Sequence, residues 1–343
     1  MASSIISIDW LQIFADMTHL NYADEFLVKT LDYGTKHFVI LEEVYLQNSL
    51  FCTVQRQPRS EILKPYSGII KFENSLLYYK NAEDIINNFL KQNDIHMLSI
   101  TRLDIAVDFK KFKNGLLPQN LIKGFMREKY LKNGRGKYTI IGQQKNVLDV
   151  SYLRFGTRAS SVNVILYNKS LEMREKTHKM YISETWKELE GSPMQDVWRI
   201  EFSLKSKATM FLNESTGEMI QVGLNILTDN ALKKLVVSSL EKRYFEFKIN
   251  DGTKNKTRMK RLPLLDYSES GFTNRYYPVG SDVMKRDKIF IKRLYVLDKE
   301  FRDLPDYVIE SREYLLEYML KNQYLEEYLE NKAAEWDQVK FRN

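Results

Sequence analysis

Residues 99–109 read SITRLDIAVDF, and the alternation in this stretch decides what kind of fold the chain encodes. In an extended strand, alternate side chains share a face. Leu103, Ile105, Val107 and Phe109 then point one way, while Arg102, Asp104, Ala106 and Asp108 point the other. The apolar set is the inner face of a half-buried strand. The other set lines up one arginine and two carboxylates, which makes it either a solvated sheet face or the floor of a site.

Two further stretches share this pattern. In VNVILYNK (162–169), Val162, Val164 and Leu166 face one way and Asn163, Ile165, Tyr167 and Lys169 the other. In VWRIEFSLK (197–205), Trp198, Ile200, Phe202 and Leu204 oppose Arg199, Glu201, Ser203 and Lys205. An antiparallel sheet with one wet face shows this alternation without any function. If the three strands are neighbours, their polar groups converge on one patch. Asp104, Asp108 and Glu201 are hard oxygen donors suited to Mg²⁺ or Mn²⁺. A tyrosine and a lysine beside such an ion suit attack on a phosphodiester. The chain has 21 tyrosines, and a strand tyrosine commonly packs with its hydroxyl bonded. Tyr167 differs in its setting: it lies near a strand end, two residues before Lys169, with a helix expected to follow.

Outward from these strands, SIISIDWLQIF, FVILEEVYL and SGIIKFENSLLYYK read as strands toward the N-terminus. KYTIIGQ and DVSYLRFG add two more. The segment 81–93 carries Ile85, Ile86, Phe89 and Leu90 at helical spacing, and PQNLIKGFMREKYL opens with Pro118 in a first helical turn. NGRGK is a turn, and SLEMREKTHKMY a helix. The spacing predicts an α+β fold, with a mixed, largely antiparallel central sheet and helices on one side. Beyond residue 210 the pattern changes to a more helical region. Residues 225–245 read as a helix, a short strand and a Lys/Arg-rich loop follow, and the tail from Asp306 to Trp336 is helical and rich in Glu, Tyr and Leu.

The 343 residues suffice for two domains and a buried core. The chain carries 52 Lys plus Arg against 45 Asp plus Glu, a net charge of +7. This excess is compatible with a nucleic-acid partner without requiring one. Cys52 is the sole cysteine, which excludes an internal disulfide and a Cys-rich zinc site. The four histidines form no close pair, so any metal relies on carboxylates. The N-terminus does not resemble a signal peptide and no apolar run reaches membrane-span length, so a cytoplasmic location without membrane partners is expected.

Three ordered segments, TRLDIAVDF (101–109), RFGTRASSVNVILYNKSLE (154–172) and VWRIEFSLK (197–205), resemble the Rep_trans family of rolling-circle replication initiators and relaxases. The family pattern is an Arg-x-Asp-x-x-x-Asp strand, a Gly-[Ser/Thr]-Arg turn leading to Tyr-[Asp/Asn]-Lys-x-x-Glu, and an Arg-x-Glu strand. The resemblance spans roughly residues 5 to 265 and extends more loosely to SIDWLQIF and YFEFKINDGTKNKTRMKRLP. It implies a site-specific nicking-closing DNA strand transferase. Tyr167 would be the nucleophile, forming a 5′-phosphotyrosyl link, with Lys169 beside it. Asp104, Glu201 and Asp108 would hold one Mg²⁺ or Mn²⁺. Arg102, Arg158 and Arg199 would bind flanking phosphates; for Arg102 and Arg199 a cross-strand ion pair with Asp104 or Glu201 is the equal alternative. The missing His-hydrophobe-His pair fits this branch, which manages with carboxylates.

On this reading residues 1–210 form the catalytic nicking-closing domain and 211–343 an accessory region, with a helix-strand DNA-binding or packing part at 211–300 and a helical tail at 301–343. Lys254, Lys256 and Arg258 are candidate contacts to the DNA backbone, or else a solvated loop. GTRAS (156–160) is either a phosphate-binding turn or a plain hairpin. Tyr78–Tyr79 and Tyr276–Tyr277 are read as core or stacking residues. Relatives often act as dimers, so a homodimer is an expected assembly, and a helicase of the host or element an expected partner. The rival readings are an origin-specific DNA-binding protein without nicking activity, and a hydrolytic nuclease that uses the carboxylates and water.

Overall fold

The computed structural model describes residues 3–60, 63–133, 137–144, 148–157, 160–175, 179–189, 196–213, 219–265 and 276–278. The expectations that rest on Arg158, the NGRGK turn and the tail after 278 lie outside the described residues.

Eleven strands come first in chain order. They are β1 (Ser4–Asp16), β2 (Phe26–Thr30), β3 (Phe38–Leu46), β4 (Ser49–Pro58), β5 (Ser67–Phe72), β6 (His96–Phe109), β7 (Tyr130–Lys132), β8 (Tyr138–Gln144), β9 (Leu148–Phe155), β10 (Val162–Asn168) and β11 (Trp198–Lys205). All but β7 form one sheet in the order β2-β3-β4-β5-β1-β6-β11-β10-β9-β8. The short strands β12 (Met210–Asn213), β13 (Met219–Gln221), β14 (Phe247–Ile249), β15 (Arg261–Leu262) and β16 (Tyr276–Pro278) make two three-stranded sheets, β13-β12-β16 and β15-β14-β7. Every pairing among the described residues is antiparallel. The fold is α+β, as the alternation predicts.

Local chemistry sets the element ends. Gln47 and Asn48 both take positive φ, 49° and 63°, and close the two-residue β3–β4 hairpin; such a turn matches the twist of the strands it joins. Helix α1 (Ala82–Gln92) has Glu83 and Asp84 in its first turn and Lys91 in its last, each favourable to the helix dipole. Helix α2 (Pro118–Met126) starts on its proline. It stops at Met126, before the residues that build β7, so it is shorter than the sequence pattern suggests. Helix α5 (Asn230–Tyr244) is capped by Asp229, whose carboxylate accepts from the N–H groups of Ala231 and Leu232 at 2.8 and 3.0 Å.

These three helices cover one face of the sheet. Ile86, Phe89 and Leu90 of α1, Leu121 and Ile122 of α2, and Leu235, Val236 and Leu240 of α5 share one core with Leu103, Ile105, Val107, Phe109, Val164, Leu166, Ile200 and Phe202. Each such side chain contributes about 1.5–3 kcal/mol by leaving water. The opposite face is not wholly open, as a sheet with helices on one side alone would be. Two short helices, α3 (Lys169–Glu175) and α4 (Met180–Thr185), lead into a 3₁₀ turn at Trp186–Glu188. Met173, Ile182, Trp186, Leu189 and Val197 form a second small core there, against Ile5, Tyr78 and Tyr181. This segment closes one end of the polar face. No helix among the described residues is long and apolar enough to cross a membrane.

Candidate active site

The three strands with mixed faces are adjacent, in the order β6-β11-β10, and their registers bring the polar groups into rows. Asp108 pairs with Arg199, which pairs with Tyr167. Ala106 pairs with Glu201, and Asp104 with Ser203, which pairs with Asn163. Ala106 presents only a methyl between the two aspartates of β6.

A fourth strand adds an acid that the motif pattern does not reveal. The register of β1 against β6 shifts between Ile8 and Trp10, so Asp9 and Trp10 both lie on the polar side while Ile8 and Leu11 remain in the core. Asp9 Oδ1 accepts a hydrogen bond from the Tyr78 hydroxyl at 2.8 Å and lies 3.1 Å from Nη1 of Arg199. A signal was present in the sequence: the core residues Ile8 and Leu11 are three apart in a strand otherwise of period two, which marks a bulge at Asp9–Trp10. Tyr78, read as a packing residue, does pack edge-on against Tyr181 at 5.0 Å. Its hydroxyl also joins the site.

Tyr167 is the penultimate residue of β10, and Asn168, which ends the strand, turns the chain directly into α3, its Oδ1 accepting from the N–H of Leu171 at 2.8 Å. The Tyr167 hydroxyl donates to Oε2 of Glu201 at 3.2 Å. Burial, then the charge of Glu201, pushes the phenol well above its ordinary value. Burial, then the charges of Asp104 and Asp9, lifts Glu201 to about 7. Asp104 is raised chiefly by burial, against the lowering effect of Arg102 and Ser203. For Asp9, burial pushes upward, but Arg199, Lys169 and the Tyr78 bond outweigh it and hold the carboxyl below the usual range. Glu201, bonded to the phenol, is thus flanked by two acids of unequal proton affinity.

Lys169 is buried, its ammonium 2.7 Å from Oε2 of Glu172 and 5.6 Å from the centroid of the Tyr167 ring. It faces the ring rather than the hydroxyl. Arg102 binds Asp104 of its own strand, Nε to Oδ1 at 3.1 Å and Nη2 to Oδ2 at 2.6 Å, and lies over the Trp10 ring at 4.1 Å. Lys254, Lys256 and Arg258 project from the loop between β14 and β15 with exposed side chains.

Asp108 and Arg199 take places other than the expected ones. Arg199 has 0% exposure, so it cannot touch a phosphate of bound DNA without unpacking. Its Nε and Nη2 bond both oxygens of Asp108 at 2.7 and 2.8 Å, Nη2 also donates to the Tyr78 hydroxyl, and the Trp186 indole donates to Asp108 at 2.9 Å. The ion-pair alternative describes Arg199, with Asp108 as its partner. Both oxygens of Asp108 are engaged by a guanidinium with 0% exposure, whereas the arginine on Asp104 is 38% exposed and can move aside, so Asp108 is the poorer metal ligand of the two. We expect Asp108→Ala to destabilise the fold by about 3–5 kcal/mol, because it strands a buried guanidinium. Urea unfolding would check this, and a loss under 1 kcal/mol would show that Asp9 alone compensates the charge.

Among the described residues no three His, Cys, Asp or Glu side chains are grouped to hold a metal ion as they stand. The donor chemistry of Asp9, Asp104 and Glu201 nevertheless suits a divalent cation. Their mutual repulsion raises Glu201, and a cation would relieve it. Asp104 would have to yield at least one of its two bonds to Arg102.

Fold and site together define a class: an α+β protein on whose antiparallel sheet a strand-end tyrosine meets a cluster of acids. No family model matches the chain, and no curated protein matches it. Among solved structures it is similar to the rolling circle replication initiator protein from Geobacillus stearothermophilus, at 18% identity and a TM-score of 0.47, over 76% of this chain and 92% of that one.

Proposed function

We propose that this chain is a nicking-closing DNA strand transferase acting as a rolling-circle replication initiator or relaxase. The observation that carries the reading is the bond from the Tyr167 hydroxyl to Glu201, beside Asp104 and Asp9, at the end of a strand whose motifs resemble that family. In the reaction, Tyr167 Oη attacks the phosphorus of a DNA strand held single-stranded. Its proton passes to Oε2 of Glu201, to which it is already bonded. The Oη–P bond forms as the P–O3′ bond breaks, and the departing 3′-oxygen takes up a proton from water. The products are a 5′-phosphotyrosyl link and a free 3′-OH, and attack by that hydroxyl reverses the step. A Mg²⁺ or Mn²⁺ ion held by Asp104 and Glu201, with Asp9 in place of Asp108, would supply charge stabilisation at the phosphate. Arg199 and Tyr78 hold Asp9 in position, and Asp108 holds Arg199.

The reading is tested with wild-type protein, Mn²⁺ or Mg²⁺, and a supercoiled plasmid carrying the DNA that flanks this chain's own gene. The expected result is a nicked circle and a protein–DNA adduct that survives detergent, with peptide mapping placing the nucleotide on Tyr167. Nicking without an adduct would instead establish a hydrolytic nuclease. Bound but intact DNA would establish an origin-binding protein.

A further inference from the structure

A line of cations crosses the polar face at a distance from the acids. Gln12 on β1 pairs on one side with Lys71 of β5 and on the other with Arg102 of β6, and Arg102 pairs with Lys205 of β11. Lys71, Gln12, Arg102 and Lys205 therefore stand in one row over four adjacent strands. All four lie on the polar face, since their neighbours Ile70, Leu11, Leu103 and Leu204 are in the core. With strands about 4.8 Å apart, Lys71 and Lys205 are ~14 Å apart across the row. Lys205 is exposed, and Lys71 and Arg102 are half-buried. Trp10, which sits between the flanking strands, takes the Lys71 ammonium and the Arg102 guanidinium each 4.1 Å from its ring centroid. The ring fixes both charges and keeps them apart. Lys205 is four residues from Glu201 along β11, or ~13 Å at the rise of an extended strand.

We infer that this row is a backbone-binding strip for single-stranded DNA, holding phosphates of the nicked strand a short distance from the bond that Tyr167 attacks. The inference rests on the proposed function for its placement and adds residues that no motif marks: Lys71, Lys205 and, as the residue that positions two of the cations, Trp10. A straight row at strand spacing fits a linear polyanion. Arg102 is already paired with Asp104, so Lys71 and Lys205 are the residues on which the strip is tested. Without a bound cation the neighbouring acid cluster repels a strand laid across it, so in the metal-free protein the row is the path open to the backbone.

The test uses a fluorescent 20-nucleotide oligo-dT, which contains no cleavage site, and the full chain in EDTA. In Lys71→Ala/Lys205→Ala, two phosphate contacts on a single strand are lost. The slope of log affinity against log salt should then fall by about 1.4. Affinity should be about tenfold weaker at 200 mM salt and about sixtyfold weaker at 50 mM. Lys71→Arg/Lys205→Arg should bind as wild type, which separates loss of charge from loss of fold. Unchanged affinity and slope in the alanine variant would overturn the inference, as would failure of the wild type to bind oligo-dT. Neither outcome depends on cleavage. A failure of the adduct experiment with normal oligo-dT results would sink the nicking mechanism and leave the strip intact.

Discussion

Tyr167→Phe is expected to abolish the covalent adduct and to lower nicking by at least about 10⁴-fold, with DNA binding and stability almost unchanged. The size follows from what is removed. Losing the nucleophile of a group that acts as a unit costs orders of magnitude more than losing a binding contact. The structure shows why the same change is mild for folding. The phenylalanine ring keeps its place near the end of β10, and among the described residues the bond lost is the 3.2 Å contact to Glu201. That bond is worth about 1 kcal/mol, the usual net contribution of one hydrogen bond. Other tyrosines are poor substitutes. The Tyr78 hydroxyl is committed to Asp9 and Arg199. Tyr152, the register partner of Tyr167 on β9, is the most informative control, and Tyr152→Phe should nick normally. The measurements are the initial rate of nicked-circle formation, the yield of detergent-stable adduct and the urea midpoint. A Tyr167→Phe protein that nicks within tenfold of wild type would show that water or another residue does the chemistry.

The strands that carry the site were legible because each has one apolar face, and burial fixes the register of such strands. Val162–Asn168 and Trp198–Lys205 appear where the alternation places them, and the order β6-β11-β10 brings Asp104, Glu201 and Tyr167 onto one face. The strands β2 and β4 were less visible. Their burial alternates weakly, with Leu27 of β2 65% exposed. Asp9 escaped because motif reasoning assumes an unbroken period of two, and a bulge breaks it. The fates of Asp108 and Arg199 were illegible for a different reason. Sequence shows which face a residue takes but not what is packed over that face. The lid formed by α3, α4 and Trp186 turns one end of a solvated surface into a buried ion pair. Tyr78 and Trp186 join the network from 3₁₀ turns, where no periodicity announces a function.

The same burial that spoils Asp108 as a ligand makes Glu201 the most consequential acid in the site, and Glu201→Gln should show it in two opposite directions. Nicking should fall by about 10²–10⁴-fold, the range for losing a positioned proton acceptor. Stability of the metal-free protein should rise at pH 8. The sign follows from linkage. Burial and the neighbouring acids push Glu201 up to about 7 in the folded chain, against an ordinary value of 4.5, so the folded state holds its proton more tightly than the unfolded one. The associated stability is fully present below pH 4.5 and is lost as the pH climbs through 7. Above that, the fold carries a buried charge whose acidic neighbours outweigh its cationic ones, at a cost on the order of 3 kcal/mol. Glutamine resembles the protonated acid, so the variant should match wild type near pH 4 and exceed it at pH 8. Mn²⁺ should recover much of that difference in wild type and little of it in the variant, since only wild type gains a ligand by deprotonating. The check is a pair of urea titrations across pH 4–8 in EDTA, repeated at pH 8 with Mn²⁺. Parallel stability profiles for the two proteins would mean that Glu201 is already ionised and compensated. The case for it as the proton acceptor of Tyr167 would then be lost.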